Sequence, residues 1–258
     1  MVYNRRMHSQ WIVDAALFPL TSPVSRGDDA LWRKLSEGAF LFAGETVHSP
    51  ARIAGLYREN GLSVEEQQIL TIPQAAAAVL RRKSPEKRRA MFCGSRAVKE
   101  TFLKAGFEES LAPDYIVIGD GIHGTLDDFS DLLNLCEQGA TMVCLSPHLR
   151  RRRNGVDVLA GGAVVRMLEE AAGISAVHLD TFANAVVPAF LPAGKGRSGG
   201  MIVVSGQAEN VLAPAAEAGM KTILVSSAMA ADTDLFGLKV HPDWIIQNFN
   251  DIGAALQK

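Results

Sequence analysis

Short apolar runs recur along the chain, and amphipathic stretches separate them. Each run is rich in Val, Ile, Leu, Phe or Met, which is typical of strands covered on both faces of a parallel sheet. The pattern predicts buried strands at Trp11–Val13, Gly38–Phe42, Ala90–Cys93, Tyr115–Ile118, Thr141–Leu145, Met201–Val204, Thr222–Val225 and Trp244–Ile246.

The stretches between these strands repeat their apolar residues at helical spacing. Most of them end at a glycine or at an Asn-Gly pair, which is the usual stop signal of a helix. The predicted helices are Pro50–Glu59, Ala75–Arg82, Val98–Ala105, Leu126–Glu137 and Ala163–Ala172, and an amphipathic helix closes the chain. Strands that alternate with helices indicate an α/β fold with a mostly parallel sheet.

Composition narrows the class of protein. The 258 residues suffice for one large domain or two modest ones, and 26 basic against 28 acidic residues argue against a nucleic-acid partner. Three cysteines without CxxC spacing disfavour a disulfide framework or a zinc ribbon, so we expect a reducing, cytoplasmic location. No apolar stretch reaches the roughly 18–20 residues of a membrane helix, so we expect no membrane partner.

Three segments occur in a recognisable order. FLFAGETVHSPARIAGLYRENGL is a strand followed by Ser-Pro and a helix that ends at glycine. PDYIVIGD precedes a helix and GATMVCLSP, and AEAGMKTILVSSAMA precedes HPDWIIQNFNDIGAAL. In this order the segments resemble the second motif, the cap domain and the C-terminal end of the NagD-like phosphatase branch of the haloacid dehalogenase (HAD) superfamily.

The resemblance implies a Rossmann-like, doubly wound parallel sheet, the HAD core, with a large α/β cap domain inserted into it. By this alignment residues 1–72 and 177–258 form the core and residues 73–176 form the cap. It also implies a phosphatase site with an Asp nucleophile, a general acid, a hydroxyl and a lysine for the phosphoryl group, and acids that hold Mg²⁺. These cations are needed because a carboxylate is otherwise repelled by a phosphate dianion.

The family's motifs, placed on this sequence, keep the nucleophile position at Asp14, which is the candidate catalytic residue. The other positions fall on residues without the required groups: Ala16 for the general acid, Ala43 and Gly44 for the phosphate-binding threonine, Asp180 for the lysine, and Ser205 and Gly206 for the metal-holding acid. We expect these residues to line a pocket at the carboxyl ends of the core strands. We expect no metal site among them, and binding of Mg²⁺ that is weak or absent.

Other polar features have plain structural interpretations. The run Arg150–Arg153 predicts a solvated turn, and an anion-binding role in the cap is the alternative. The Gly-rich loop around Lys195 lacks the order of a phosphate-binding loop and predicts a flexible connection. The histidines, among them His178, lack metal-ligand spacing and are predicted to be surface or satisfied residues, and the cysteines are predicted to be small core residues.

Three functions remain open. The first is a pseudoenzyme, a NagD-type protein that binds a small molecule or a protein, and the loss of most catalytic residues favours it. The second is a HAD-type hydrolase that acts on a sugar phosphate or a nucleotide with Asp14 as nucleophile. The third is a Mg²⁺-independent reaction that uses Asp14. The expected partner is a small anionic metabolite, and the cap is a candidate surface for a homo-oligomer.

Overall fold

The computed structural model describes residues 10–35, 38–153, 155–191, 200–230 and 238–255. These residues divide into two compact units. The first includes the described residues up to Ala43, Pro50–Leu70 and the described residues from Leu191 onward. The second includes Gly44–Ser49 and Thr71–Phe190. The loop around Lys195 lies outside the described residues.

Strands and helices alternate along the chain, as the apolar pattern predicts. The strands of the described residues are β1 (Gln10–Asp14), β2 (Ala39–Ala43), β3 (Ile69–Thr71), β4 (Arg89–Cys93), β5 (Glu108–Glu109), β6 (Tyr115–Ile118), β7 (Thr141–Cys144), β8 (Arg150–Arg153), β9 (Val156–Leu159), β10 (Val177–His178), β11 (Met201–Ser205), β12 (Lys221–Val225) and β13 (Trp244–Ile246). The α-helices are α1 (Arg26–Leu35), α2 (Pro50–Glu59), α3 (Ile72–Lys83), α4 (Arg96–Lys104), α5 (Leu126–Glu137), α6 (Gly161–Ala172), α7 (Val187–Phe190), α8 (Ala213–Glu217) and α9 (Ile252–Ala255).

The sheet of the first unit is doubly wound. Within the described ranges its strand order is β13-β12-β11-β1-β2-β3, so the chain moves outward in one direction from β1 and in the other from β11. Strand β1 lies in the middle and pairs in parallel with both β2 and β11. The core of this unit is built on Val13, Leu41, Val204 and Ile223 from the strands and on Trp32 from α1, all fully buried.

The second unit has its own sheet. In the described part of the chain its order is β10-β7-β6-β4-β5, and every neighbouring pair is parallel. The three strands predicted for the cap (β4, β6 and β7) are therefore together in this sheet, apart from β1. Helices α5 and α6 pack against it through Leu132, Val165 and Leu168. Strands β8 and β9 form a separate antiparallel hairpin.

Two predictions about the second unit need correction. The run Arg150–Arg153 is strand β8 and not a turn, because it pairs with Val156–Leu159. The predicted boundary at residue 177 is also displaced, because Val177 and His178 pair with β7 and extend this sheet. Residues 177–190 therefore belong to the second unit instead of the first. Among the described residues, no helix is both long and apolar enough to cross a membrane.

Helices α3 and α5 begin with the same kind of capping box, one buried and one exposed. Thr71 Oγ1 accepts from the Gln74 amide and Thr125 Oγ1 accepts from the Asp128 amide. Thr71 is buried and Thr125 is exposed, so water can replace the hydroxyl only at Thr125.

We expect Thr71→Ala to lower the free energy of unfolding by about 2 kcal/mol, because the half-buried Gln74 amide loses an acceptor that is itself buried. The matched control Thr125→Ala should lower it by about 0.5–1 kcal/mol. Urea denaturation of the full chain measures both values. Equal losses of stability in the two variants would show that burial of the N-cap hydroxyl does not affect its contribution.

Candidate functional site

Three neighbouring strands of the first sheet end side by side. Val13 lies opposite Val204, and Asp14 lies opposite Phe42. The last residues of β1, β2 and β11, which are Asp14, Ala43 and Ser205, therefore share the carboxyl edge of the sheet. The strand order reverses between β1 and β11, and open α/β sheets bind their ligands at such a switch point. This edge is the candidate site.

The carboxylate of Asp14 is surrounded by neutral hydrogen-bond donors. Its Oδ1 accepts from the Ala16 amide at 2.9 Å and so caps the one-turn helix Ala15–Leu17. Its Oδ2 accepts from Ser205 Oγ at 2.5 Å and from Gln207 Nε2 at 2.8 Å. Asp14 is only 3% exposed. Both oxygens of this buried carboxylate are therefore already used as acceptors inside the protein.

Ser205 and Gln207 make this arrangement rigid. The Ser205 hydroxyl donates to Asp14 and accepts from the Gln207 amide at 2.9 Å, so its hydrogen-bonding capacity is used in both directions. Ser205 is fully buried. On the other side of Asp14, the Tyr57 hydroxyl donates to the Ala15 carbonyl at 3.0 Å. The loops after β1 and β11 are thus joined by one hydrogen-bonded network.

Gly206 has no space for a side chain. A Cβ atom built on it would lie 2.3 Å from the Ala228 carbonyl oxygen and 2.6 Å from the Ala228 carbonyl carbon. Ala228 belongs to the one-turn helix Ser226–Ala228 that follows β12. Because the obstacle is backbone, a change of rotamer does not remove it. A side chain at position 206, such as the carboxylate of the phosphatase motif, therefore requires the Ala228 backbone to move.

The remaining predicted pocket residues lie in different places. Ala16 and Ala43 are at the edge described above, and Gly44 follows β2 directly and is grouped with the second unit. Asp180, expected in the first unit, lies in the second. Its Oδ2 is 3.0 Å from His178 Nδ1. This hydrogen bond raises the pKa of His178 above its ordinary value.

The second unit contains a buried acid that sequence reasoning missed, Asp120. Its Oδ1 accepts from the Gly161 amide at 2.9 Å, and its Oδ2 accepts from the Thr46 hydroxyl at 3.2 Å. Arg151 Nη1 lies 2.8 Å from the same Oδ2. The guanidinium of Arg151 is therefore neutralised by an internal acid, which weakens the anion-binding interpretation of the arginine run. The sequence signal for Asp120 was its location, two residues after the end of a buried strand.

The thiols are poor candidates for nucleophiles. Burial raises the pKa of Cys93 to about 11 and that of Cys144 to about 12. A thiol with so high a pKa stays protonated near neutral pH, and the thiolate is the reactive form.

No protein-family model matches the chain. Characterised proteins do match it. This chain is 23% identical over 201 residues to the ribonucleotide monophosphatase NagD of Escherichia coli K12, and the match covers 78% of each chain. It is 20% identical over 230 residues to the dihydroxyacetone phosphatase of Corynebacterium glutamicum, covering 88% of this chain and 83% of the relative. The solved structure of NagD from Escherichia coli K-12 superimposes with a TM-score of 0.80 at 20% identity, covering 95% of this chain and 98% of NagD. The fold is that of the NagD-like branch of the HAD superfamily.

A further solved structure, a 4-nitrophenylphosphatase from Thermotoga maritima, superimposes with a TM-score of 0.79 at 18% identity over 97% of this chain and 98% of that one. The resemblance expected from the sequence is therefore confirmed, and the two units are named here the HAD core and the cap. In the HAD core, Gln207 belongs to the site although the family motifs did not point to it. The signal for it was a polar residue just beyond the end of a buried strand.

We expect Asp14→Ala to lower the free energy of unfolding by about 2–4 kcal/mol, because three donors in the network lose their acceptor. Asp14→Asn should lower the free energy of unfolding by less than half as much. The amide oxygen of the new side chain can still accept from the Ala16 amide, and the Gln207 side-chain amide can rotate so that its oxygen accepts from the new amide nitrogen. Chemical denaturation measures both. Removal of a catalytic carboxylate often stabilises a protein, so a more stable Asp14→Ala variant would contradict the structural role.

We expect Gly206→Ala to lower the free energy of unfolding by about 1–3 kcal/mol, because the added methyl group overlaps the Ala228 backbone. The control is Gly55→Ala within α2, where a Cβ would meet nothing within 4 Å. That change should be neutral or stabilising by about 0.5–1 kcal/mol. Thermal and urea denaturation compare the two variants, and a Gly206→Ala variant as stable as wild type would mean that this loop is not packed as described.

Proposed function

We propose that this chain is a NagD-like pseudoenzyme, which binds a ligand with the HAD fold and does not hydrolyse phosphate esters. The observation that carries the proposal is the Ala228 backbone in the space where a side chain at position 206 would lie. A missing acid can elsewhere be regained by one substitution, whereas an acid at position 206 also requires the Ala228 backbone to move.

The residues at the core edge do not fit the Mg²⁺ ion that HAD phosphatases use. Mg²⁺ requires near-octahedral oxygen coordination and is usually held by carboxylates together with water and substrate phosphate. Position 206 is a glycine and supplies no carboxylate, and the oxygens of Asp14 already accept from Ala16, Ser205 and Gln207.

The same residues argue against nucleophilic attack by Asp14. A carboxylate that approaches a phosphate dianion needs neighbouring positive charge, and the donors around Asp14 are neutral. Ala16 has no proton to give to a leaving group. Since acid, phosphate contact and metal site act as a unit in such enzymes, loss of several of them leaves little activity.

The second candidate is a HAD-type phosphatase that acts on a small phosphorylated metabolite, with Asp14 as the nucleophile. Two observations favour it: the curated relatives are named as phosphatases, and Asp14 stands at the end of β1, where the family has its nucleophile. It requires Asp14 to give up its bonds to Ser205 and Gln207 when substrate binds. A small anionic metabolite as ligand and a homo-oligomer formed through the cap stay predictions.

Hydrolysis of an aryl phosphate with and without Mg²⁺, in wild type and in Asp14→Asn, separates these functions. We expect wild type to show no more turnover than the variant, and calorimetry to give a Mg²⁺ affinity no tighter than about 1 mM, or about −4 kcal/mol. Binding of a sugar phosphate or a nucleotide without turnover would be the positive result.

Each of the other outcomes points to one alternative. Turnover that requires Mg²⁺ and is lost in Asp14→Asn would establish the phosphatase and reject the pseudoenzyme. Turnover that requires Asp14 without Mg²⁺ would establish a metal-independent reaction. Failure to bind any phosphorylated compound would reject the small-anion ligand and leave a protein partner.

A further inference from the structure

The strand register of the cap brings a thiol, an imidazole and a carboxylate to one place. Strands β7 and β10 pair in parallel with His178 opposite Cys144. Opposed residues in neighbouring strands point to the same face, and Asp180 follows His178 by two positions. A ligand atom from each of Cys144, His178 and Asp180 lies within 4.8 Å of the others.

The ring of His178 is held at both nitrogens. Its Nδ1 is 3.0 Å from Asp180 Oδ2, and its Nε2 is 3.4 Å from Glu169 Oε1. Glu169 is itself fixed by the Ala176 amide, which donates to the same oxygen at 2.7 Å. Histidines that bind metals usually donate their second ring N–H to a carboxylate, which orients the ring. Glu169 occupies that position, and Nδ1 faces Asp180.

We propose that Cys144, His178 and Asp180 form a binding site for a transition-metal dication of the zinc type, with Glu169 orienting the histidine. The donor set decides the class of ion. Sulfur and imidazole nitrogen suit Zn²⁺ and its neighbours, whereas Mg²⁺ and Ca²⁺ require oxygen ligands. Three protein ligands leave one tetrahedral position for water or for a donor atom of a bound molecule.

Burial supports the same assignment. Cys144 is 1% exposed and Asp180 is 8% exposed, whereas the side chain of His178 is 45% exposed. The thiol and the carboxylate are thus withdrawn from water, and the histidine borders the solvent from which an ion enters. On binding, the Cys144 thiol would release its proton and its hydrogen bond to the Ser146 carbonyl, and the dication would balance the charges of the thiolate and of the Asp180 carboxylate. The site shares no residue with the set on which the proposed function rests.

The test uses the full chain, freed of metal with a chelator. Zn²⁺ is titrated in competition with a chromophoric chelator, and Co²⁺ is added as a spectroscopic probe. We expect micromolar or tighter Zn²⁺ binding and a thiolate-to-Co²⁺ charge-transfer band. Cys144→Ser should remove the band, His178→Ala should weaken Zn²⁺ binding by about 100-fold, and Glu169→Gln should weaken it by about 10-fold.

Cys136→Ala is the matched control, because it removes a buried thiol on α5 that is not part of the cluster. It should leave the band and the affinity unchanged. Asp180→Asn, which keeps the size of the side chain, should weaken binding even if the cysteine variant fails to fold. Absence of the band in wild type, its persistence in Cys144→Ser, or equal loss in Cys136→Ala would overturn the proposal.

Discussion

The carboxylate of Asp14 joins the two strand ends at which the sheet of the core reverses its order. Its donors come from the loop after β1 and the loop after β11, so one buried charge fixes the relative position of both loops. A buried carboxylate is stable only when it is fully hydrogen-bonded, and in a medium of low polarity such bonds are strong. The bonds that stabilise Asp14 therefore also restrain it as a nucleophile.

The packing around Gly206 leaves no room for a side chain in a fold that this chain shares with NagD. The chain superimposes on NagD with a TM-score of 0.80, yet the Ala228 backbone stands where a side chain at position 206 would be. Strand order and core packing depend on apolar residues that are independent of the catalytic groups. Fold and function are thus separable, and the function has to be argued from the residues at the strand ends.

Much of the fold could be predicted because buried parallel strands and glycine-terminated helices leave strong local patterns. Helix α1 was missed since half of the residues in Arg26–Leu35 are charged and, within this described helix, Trp32 is the one buried residue. Strands β5 and β10 have two residues each, too few for any periodicity. In the site, the place of Asp14 beside Ser205 followed from the order of strands and motifs. Neither the obstruction by Ala228 nor the meeting of Cys144 with His178 has a local signal, because both depend on tertiary packing.

Three buried acids stand at or just beyond strand ends, and their partners determine what each can do. Asp14 accepts hydrogen bonds from neutral donors, and replacing these donors would break the network that joins the loops after β1 and β11. Asp120 is paired with Arg151, a permanent cation, and its charge is already balanced. Asp180 faces His178, whose proton a metal ion can replace without loss of the ring's second hydrogen bond to Glu169. Of the three carboxylates, Asp180 in the cap is therefore the one whose present partner, His178, leaves it able to bind a metal ion.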